Sequence, residues 1–135
     1  MSRTIPWVIA GAAGAAVLGV LVASHPARGV GAVHPDPRPG VTAERVLPAS
    51  MVLNTPGAAE AYAAARTAPA VLDGLYCHCD CSKHFGHRSL LTCFESDHGS
   101  RCSTCMGEAR LAADLAAQGR TLDQIRHAID QRFGS

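Results

Sequence analysis

The chain has 135 residues and a formal net charge of +1, a length that suits one small domain. Beyond Gly40 it carries 9 basic and 10 acidic residues, and without a basic patch we predict no nucleic-acid partner. Aromatic residues make up 4% of the chain and alanine is abundant, which favours small helices over a β-sandwich. We therefore predict an all-α fold.

The N-terminus carries a long apolar segment. Arg3 precedes 19 uncharged residues, 5–23, and a helix of about 20 apolar residues can span a bilayer. We predict that residues 1–23 are a signal anchor or a signal peptide, with Arg3 on the cytoplasmic side. A retained single-pass anchor is preferred, because no clean small-residue cleavage site follows. A cleaved signal would give a secreted protein, and either outcome places the cysteines outside the cytoplasm, where disulfides can form.

A proline-rich segment follows the apolar one. Prolines interrupt every possible helix in residues 24–50, and the segment has no apolar periodicity. We predict a passive Pro/Gly-rich tether here. Residues 51–135 then form the cysteine-rich domain.

The first helices of this domain are predicted from their ends. Thr55 is a candidate N-cap with Pro56 at the first helical position, and the helix stops before Pro69. A short helix is predicted over residues 89–94. The segments around it, 77–86 and 95–99, are predicted to be loops.

The C-terminal helices have clearer signals. Apolar residues recur at helical spacing from Cys102, and Gly119 is predicted to end that helix. Thr121 begins a second helix, with Gln124 in the capping-box position. The domain is therefore expected to contain three to four short helices around a cysteine-rich loop.

The most informative feature is a cluster of soft donors, because all six cysteines fall within residues 77–105. The first three are spaced at i, i+2 and i+4, about 6.6–6.8 Å apart per step in an extended chain, which is the outer edge of disulfide geometry. Such thiolates can instead surround one soft cation, Cu(I) as first choice or Zn(II). The predicted core ligands are Cys77, Cys79 and Cys81, completed by Cys102 and Cys105, with Cys93 either a ligand or a buried apolar residue.

Four of the seven histidines share this window. In an extended segment His78 would point away from the two cysteines that flank it. His87 is expected to cap or pack at a helix, and His84 and His98 are expected to be solvated loop residues. None of the four is assigned as a ligand.

Two other functions fit the same cysteines. Cys102-x-x-Cys105 at a helix start is also the arrangement of thiol-disulfide oxidoreductases, because the helix terminus lowers a thiol pKa. The pair would then exchange disulfides with partner proteins. Alternatively, six cysteines can staple an interaction domain through disulfides whose pairing is open. No other enzyme signature is present, so an enzyme is the less favoured prediction.

The order and spacing of these residues resemble a known family. The resemblance covers residues 55–134, through Cys77-His78-Cys79-Asp80-Cys81, the segment 86–94 that contains Cys93, and Cys102-x-x-Cys105. The segment is similar to the PCYCGC-motif family of small bacterial extracytoplasmic proteins, which are often lipoproteins. The resemblance implies placement and fold more than mechanism.

The chain departs from the motif at three positions. Tyr76 stands for its proline, His78 for its tyrosine and Asp80 for its glycine, and the loss of glycine is expected to change the loop. The lipoprotein cysteine is also missing, so the anchor would be the N-terminal helix. The final hairpin is weakly similar to the small three-helix thiol reductases of cytochrome c maturation, which supports the redox alternative.

These observations predict an extracytoplasmic protein, tethered to the cell membrane, that binds a soft metal through clustered cysteines. Its role would be sequestration, delivery or structural stabilisation. The expected partners are the metal ion, the membrane and a protein that exchanges metal or disulfides with it.

Overall fold

The structure, a computed structural model, describes residues 32–134. The predicted anchor or signal in residues 1–23 lies outside this range. Within it the chain is helical and has no strand, in agreement with the predicted fold class. None of the helices in residues 32–134 combines the length and apolar character needed to cross a bilayer.

One long helix, α5, forms the centre of the domain, and α1 and α6 pack against it. Short helices close the remaining side. The α-helices are α1 Ala58–Thr67, α2 Pro69–Asp73, α3 Cys81–Phe85, α4 Leu90–Phe94, α5 Ser103–Ala117 and α6 Leu122–Phe133, and the 3-10 helices are Ala43–Arg45, Ala49–Met51 and Asp97–Arg101.

Helix α1 is the alanine-rich helix that the sequence predicted, although it begins after Gly57 rather than at Thr55. Its small buried side chains allow a close approach to α5. Tyr62 of α1 is fully buried with its ring against Phe94, and its hydroxyl donates to the Ser96 carbonyl at 2.6 Å. Burial raises the pKa of Tyr62 to about 12, so the hydroxyl remains a donor.

The C-terminal hairpin is as predicted. Gly119 has φ 76°, the left-handed conformation that favours glycine after a helix. Thr121 and Gln124 form the predicted capping box at the start of α6. Ile125 and Ile129 are fully buried and hold α6 on the body of the domain.

The two predicted loops differ from the structure. Residues 81–85 form α3, which starts after Asp80 in the left-handed conformation, and the segment predicted as a loop over residues 95–99 contains most of the 3-10 helix Asp97–Arg101. Single helical turns have little apolar periodicity, and tertiary packing rather than propensity stabilises them. Sequence periodicity therefore did not reveal them.

Of the tether predicted over residues 24–50, residues 24–31 lie outside the described range, and the part over residues 32–50 needs correction because it contacts the helical body. Val46 is buried, and its carbonyl accepts from Arg66 at 2.7 Å. Leu47 donates its N–H to the Phe94 carbonyl at 2.9 Å. The prolines prevent a long helix but do not prevent an extended segment from packing on a surface.

A buried carboxylate fastens this segment. Asp73 at the end of α2 is fully buried and accepts from the backbone N–H and guanidinium of Arg38, both at 2.7 Å, and from the Ser89 hydroxyl at 3.0 Å. Arg88 lies 3.1 Å away. Burial raises the pKa of Asp73, but the Arg38 and Ser89 hydrogen bonds outweigh it and bring the pKa to about 2. Asp73 therefore joins the N-terminal segment to α2 and to the residue before α4.

Candidate metal centre

Four thiols converge in the interior of the domain. The sulfurs of Cys77, Cys79, Cys81 and Cys105, here called the inner group, all lie within 4.8 Å of one another. Cys77 is 3.2 Å from both Cys79 and Cys105, and Cys79 is 3.4 Å from Cys105. These separations far exceed a disulfide bond of about 2.05 Å, and all six cysteines are free thiols.

The loop before α3 brings the first three cysteines together. Asp80 has φ 59° and ψ 26°, a left-handed conformation that aspartate tolerates better than most residues. Its carboxylate accepts from the Tyr76 hydroxyl at 2.6 Å and lies 3.0 Å from the Lys83 ammonium. Two of the departures from the motif, Tyr76 and Asp80, thus contact each other across the loop.

A second set of donors lies beside the first. The ligand atoms of Cys81, His87, Cys93 and His98, here called the outer group, also lie within 4.8 Å of one another. His87 Nδ1 is 3.2 Å from the Cys93 sulfur, and His98 Nε2 is 3.4 Å from the Cys81 sulfur. Cys81 belongs to both groups.

Three short elements position the outer group. His87 follows the end of α3, Cys93 lies on α4 and His98 on the 3-10 helix Asp97–Arg101. A Cβ atom at Gly99 would come within 2.9 Å of the Cys93 carbonyl oxygen, so only glycine permits this approach. The Phe85 ring lies 4.6 Å from the His98 ring, centroid to centroid, and is 64% exposed. It covers the outer group on the solvent side.

The family model described as "Protein of unknown function with PCYCGC motif" matches residues 31–135. The chain belongs to the PCYCGC-motif family. No curated protein and no solved structure matches the chain. The match begins almost where the described structure begins, and it includes the proline-rich segment that packs on the body.

Within this PCYCGC-motif domain, the predicted ligands are only partly brought together. Cys77, Cys79, Cys81 and Cys105 form the inner group, and Cys93 joins the outer group. Cys102 belongs to neither. It is the half-exposed N-cap of α5, with extended angles of φ −130° and ψ 113°, so the helical spacing that aligns residues i and i+3 does not apply to it.

Sequence reasoning missed two histidines. His87 and His98 were assigned to packing and solvent, and they lie in the outer group. The available signal was their placement on either side of Cys93, since mixed cysteine and histidine donors within a short window are typical of zinc sites. His78 belongs to neither group, and its ring nitrogens instead contact Glu108 and Asp130.

A hydrogen-bond network supports the PCYCGC loop from behind. Glu108 Oε1 accepts from the backbone N–H of His78 at 2.9 Å and lies 2.6 Å from its Nδ1. Asp130 Oδ1 lies 3.0 Å from Nε2 of both His78 and His34, and His34 Nδ1 accepts from the Tyr76 N–H at 2.9 Å. The loop is thereby fixed to α5, to α6 and to the N-terminal segment.

Glu108 places a buried carboxyl group beside the inner thiols. It is fully buried, and its Oε2 finds no hydrogen-bond partner within residues 32–134. Burial raises the pKa of Glu108, although the hydrogen bonds from His78 and an interaction with the Cys77 thiol oppose the shift. A buried acidic side chain beside four thiols is an environment that a cation would stabilise.

Two of the inner thiols, Cys77 and Cys105, are held in their protonated form. The interaction with Cys105 and burial both raise the pKa of Cys77. The contact with Cys77 lowers the pKa of Cys105, but the contact with Cys93 and burial outweigh it, and the net shift is upward. A coordinating cation would instead favour the deprotonated thiolate, because a metal-bound thiol loses its proton.

The spacing of the donors fits tetrahedral coordination. Four sulfurs bound to one Zn(II) at about 2.3 Å are separated by about 3.8 Å, and a sulfur and a nitrogen by about 3.6 Å. The separations among the sulfurs of Cys77, Cys79 and Cys105, 3.2–3.4 Å, are shorter by a few tenths of an ångström, and the Cys81 sulfur lies within 4.8 Å of all three. Side-chain rotations that move these three sulfurs apart would bring the inner group closer to tetrahedral spacing.

Proposed function

We propose that this protein binds a soft metal ion, Zn(II) or Cu(I), through Cys77, Cys79, Cys81 and Cys105. The observation that carries the proposal is the convergence of four thiol sulfurs from two separate parts of the chain. A hydrophobic core does not require such convergence, because leucine and valine pack as well. Four unpaired thiols whose sulfurs all lie within 4.8 Å of one another are the donor set of a structural metal site.

The donor set also indicates what the ion does. Four thiolates fill a tetrahedral ion and leave no position for water or substrate, whereas catalytic zinc keeps one position open. The inner group is therefore suited to holding an ion for stabilisation, storage or delivery.

Charge gives Zn(II) the advantage at the inner group. Zn(II) offsets one more of the four thiolate charges than Cu(I) does, and uncompensated buried charge is costly. Glu108, buried beside the group, adds to this preference when ionised. Cu(I) remains the alternative because all-thiolate ligands are soft.

We further propose that the domain lies outside the cytoplasm and is tethered to the membrane. Support comes from the 19 uncharged residues of segment 5–23 after Arg3. A signal that is cleaved after this segment would release the same domain. The mass of the mature chain, measured from the membrane and soluble fractions, separates the two.

The test of metal binding uses the full chain, purified in detergent under reducing conditions, with metal counted by elemental analysis and native mass. Cys105→Ser and Cys102→Ser are a matched pair, three residues apart, with Cys105 in the inner group and Cys102 outside both groups. We expect wild type and Cys102→Ser to keep the same metal content, and Cys105→Ser to lose at least one ion per chain. A metal-free wild-type protein, or equal losses in the two variants, would contradict the proposal.

The redox alternative makes a different prediction for the same variants. It requires a reactive pair, but Cys105 is buried against Cys77 and its pKa is raised. Cys105→Ser would nevertheless leave Cys102 to trap a mixed disulfide with a partner if the pair exchanged disulfides. We expect no trapped partner.

A further inference from the structure

The outer group contains a full set of four metal donors that the proposed function does not use. We infer that the outer group is a second metal site for a divalent ion such as Zn(II), and that the Cys81 thiolate bridges this ion to the one in the inner group. The inference rests on the proposed function for the inner ion. Together the two groups would form a dinuclear centre.

The geometry supports two ions rather than a choice between two sites. Cys81 lies within 4.8 Å of every donor atom in each group, and a thiolate sulfur has enough lone pairs to bind two metals. The nitrogen atoms face the sulfurs, with His87 presenting Nδ1 and His98 presenting Nε2. Both nitrogen-to-sulfur distances, 3.2 and 3.4 Å, are close to the separation of about 3.6 Å expected around one Zn(II).

The chemistry of the outer group favours a divalent ion. Two thiolates and two imidazoles form the ligand set of many zinc sites, whereas Cu(I) is selected by thiolate-only surroundings. Charge balance gives the same result for the whole centre. Two divalent ions would offset four of the five thiolate charges, and two Cu(I) ions would offset only two.

The two ions would differ in how easily they exchange. Three of the four inner cysteines are buried and Cys79 is partly buried, whereas both outer histidines, His87 and His98, are only partly buried beside the exposed Phe85 ring. Solvent and a competing ligand can therefore reach the outer ion first. We expect the outer ion to be removed by a chelator before the inner one.

The experiment counts Zn(II) ions on the full chain in detergent by native mass during titration with ZnCl2, followed by competition with a chromogenic chelator. His87→Ala/His98→Ala removes both outer nitrogens from partly buried positions, which limits the risk of misfolding. His84→Ala/His127→Ala is the matched control, because both residues are exposed and lie outside the two groups. We expect two ions in wild type and control, and one in His87→Ala/His98→Ala.

The possible outcomes separate the two proposals. One ion in wild type that persists in His87→Ala/His98→Ala would overturn the second site and leave the inner site standing. No ion in any protein would overturn the proposed function itself. Two ions in His87→Ala/His98→Ala would place the second ion elsewhere and also overturn the inference.

The bridge has its own test with Co(II) in place of Zn(II). A shared thiolate couples the spins of two cobalt ions, so the EPR signal per cobalt of the loaded wild type should fall well below that of singly loaded His87→Ala/His98→Ala. Equal signals per cobalt would overturn the bridge at Cys81. This readout needs no substitution of the buried Cys81.

Discussion

The inner and outer groups share Cys81 but are built in opposite ways. Three inner sulfurs come from one five-residue loop, which hydrogen bonds fix to α5 and α6 from behind. The outer donors come from three short elements that meet only in the tertiary structure, with one exposed aromatic ring over them. The inner group therefore depends on local backbone geometry, and the outer group depends on how short helices pack.

This difference has a functional meaning within the proposal. A buried, rigid, all-sulfur site retains its ion, whereas a partly exposed mixed site can exchange one. A protein that must hold a metal and also pass one on would benefit from both in a single centre.

The largest effect is expected from Glu108→Ala, which removes only the hydrogen-bonding support behind the inner group. The change removes the buried acceptor of the His78 N–H and leaves a cavity, so we expect a loss of about 3 kcal/mol in the free energy of unfolding. Zn(II) affinity at the inner group should fall about 10- to 100-fold, as for other residues behind metal ligands. Denaturant titration and chelator competition measure the two effects, with exposed Glu60→Ala as control. Unchanged affinity would show that the network does not support the site.

Asp73→Asn should destabilise the fold without changing metal binding at either group. Asp73 is buried and ion-paired with Arg38 and Arg88, and we expect a loss of about 2 kcal/mol at neutral pH. Two bound ions should remain.

The same variant has a defined pH dependence. Because the pKa of Asp73 is lowered to about 2 in the folded protein, its contribution is fully present above the unfolded value of about 3.9 and is lost as the pH falls towards 2. The difference in unfolding free energy between wild type and Asp73→Asn should therefore shrink between about pH 4 and pH 2. A constant difference over that window would mean that the Asp73 carboxylate is not the source of the effect.

Gly99→Ala should affect the outer group alone. The added Cβ would meet the Cys93 carbonyl oxygen at 2.9 Å, and the 3-10 helix that carries His98 would have to move. We expect a cost of about 1–2 kcal/mol and loss of the outer ion, measured by native mass. Gly86→Ala is a poor control because Gly86 has a positive φ, so exposed Ser103→Ala is used instead. Retention of both ions would indicate that the outer group does not require the close approach of Gly99 to the Cys93 carbonyl.

The smallest effect on stability is expected from Phe85→Ala. Phe85 is largely exposed, so the free energy of unfolding should change by less than about 0.5 kcal/mol. Removing the ring opens the solvent side of His98, and the chelator should extract the outer ion several-fold faster. Stopped-flow measurements with exposed His84→Ala as control test this, and equal rates would mean that Phe85 does not cover the site.

Sequence reasoning succeeded where a signal was local. The spacing of Cys77, Cys79 and Cys81 within five residues predicted that their sulfurs lie together, and the capping residues predicted the start of α6. It also placed Cys105 correctly on the first turn of α5. Each of these features depends on neighbours within a few residues.

The features that the sequence did not predict depend on contacts between distant segments of the chain. The outer group forms because Gly99 lets the 3-10 helix approach α4, and no spacing rule contains that contact. The proline-rich segment binds the body through Arg38, whose partner Asp73 lies 35 residues away. Cys102 failed to join its neighbour because an N-cap residue does not have helical angles.

The attachment of the proline-rich segment to the body also limits how far the domain can lie from the apolar segment 5–23. His34 and Arg38 are already fastened to the body through Asp130 and Asp73, so only residues 24–33 remain between the fastened part and the apolar segment 5–23. Ten residues extend to at most about 35 Å, roughly the thickness of a bilayer. With the anchor retained, the domain would stay close to the membrane. Any protein that takes metal from it would have to come to the membrane surface.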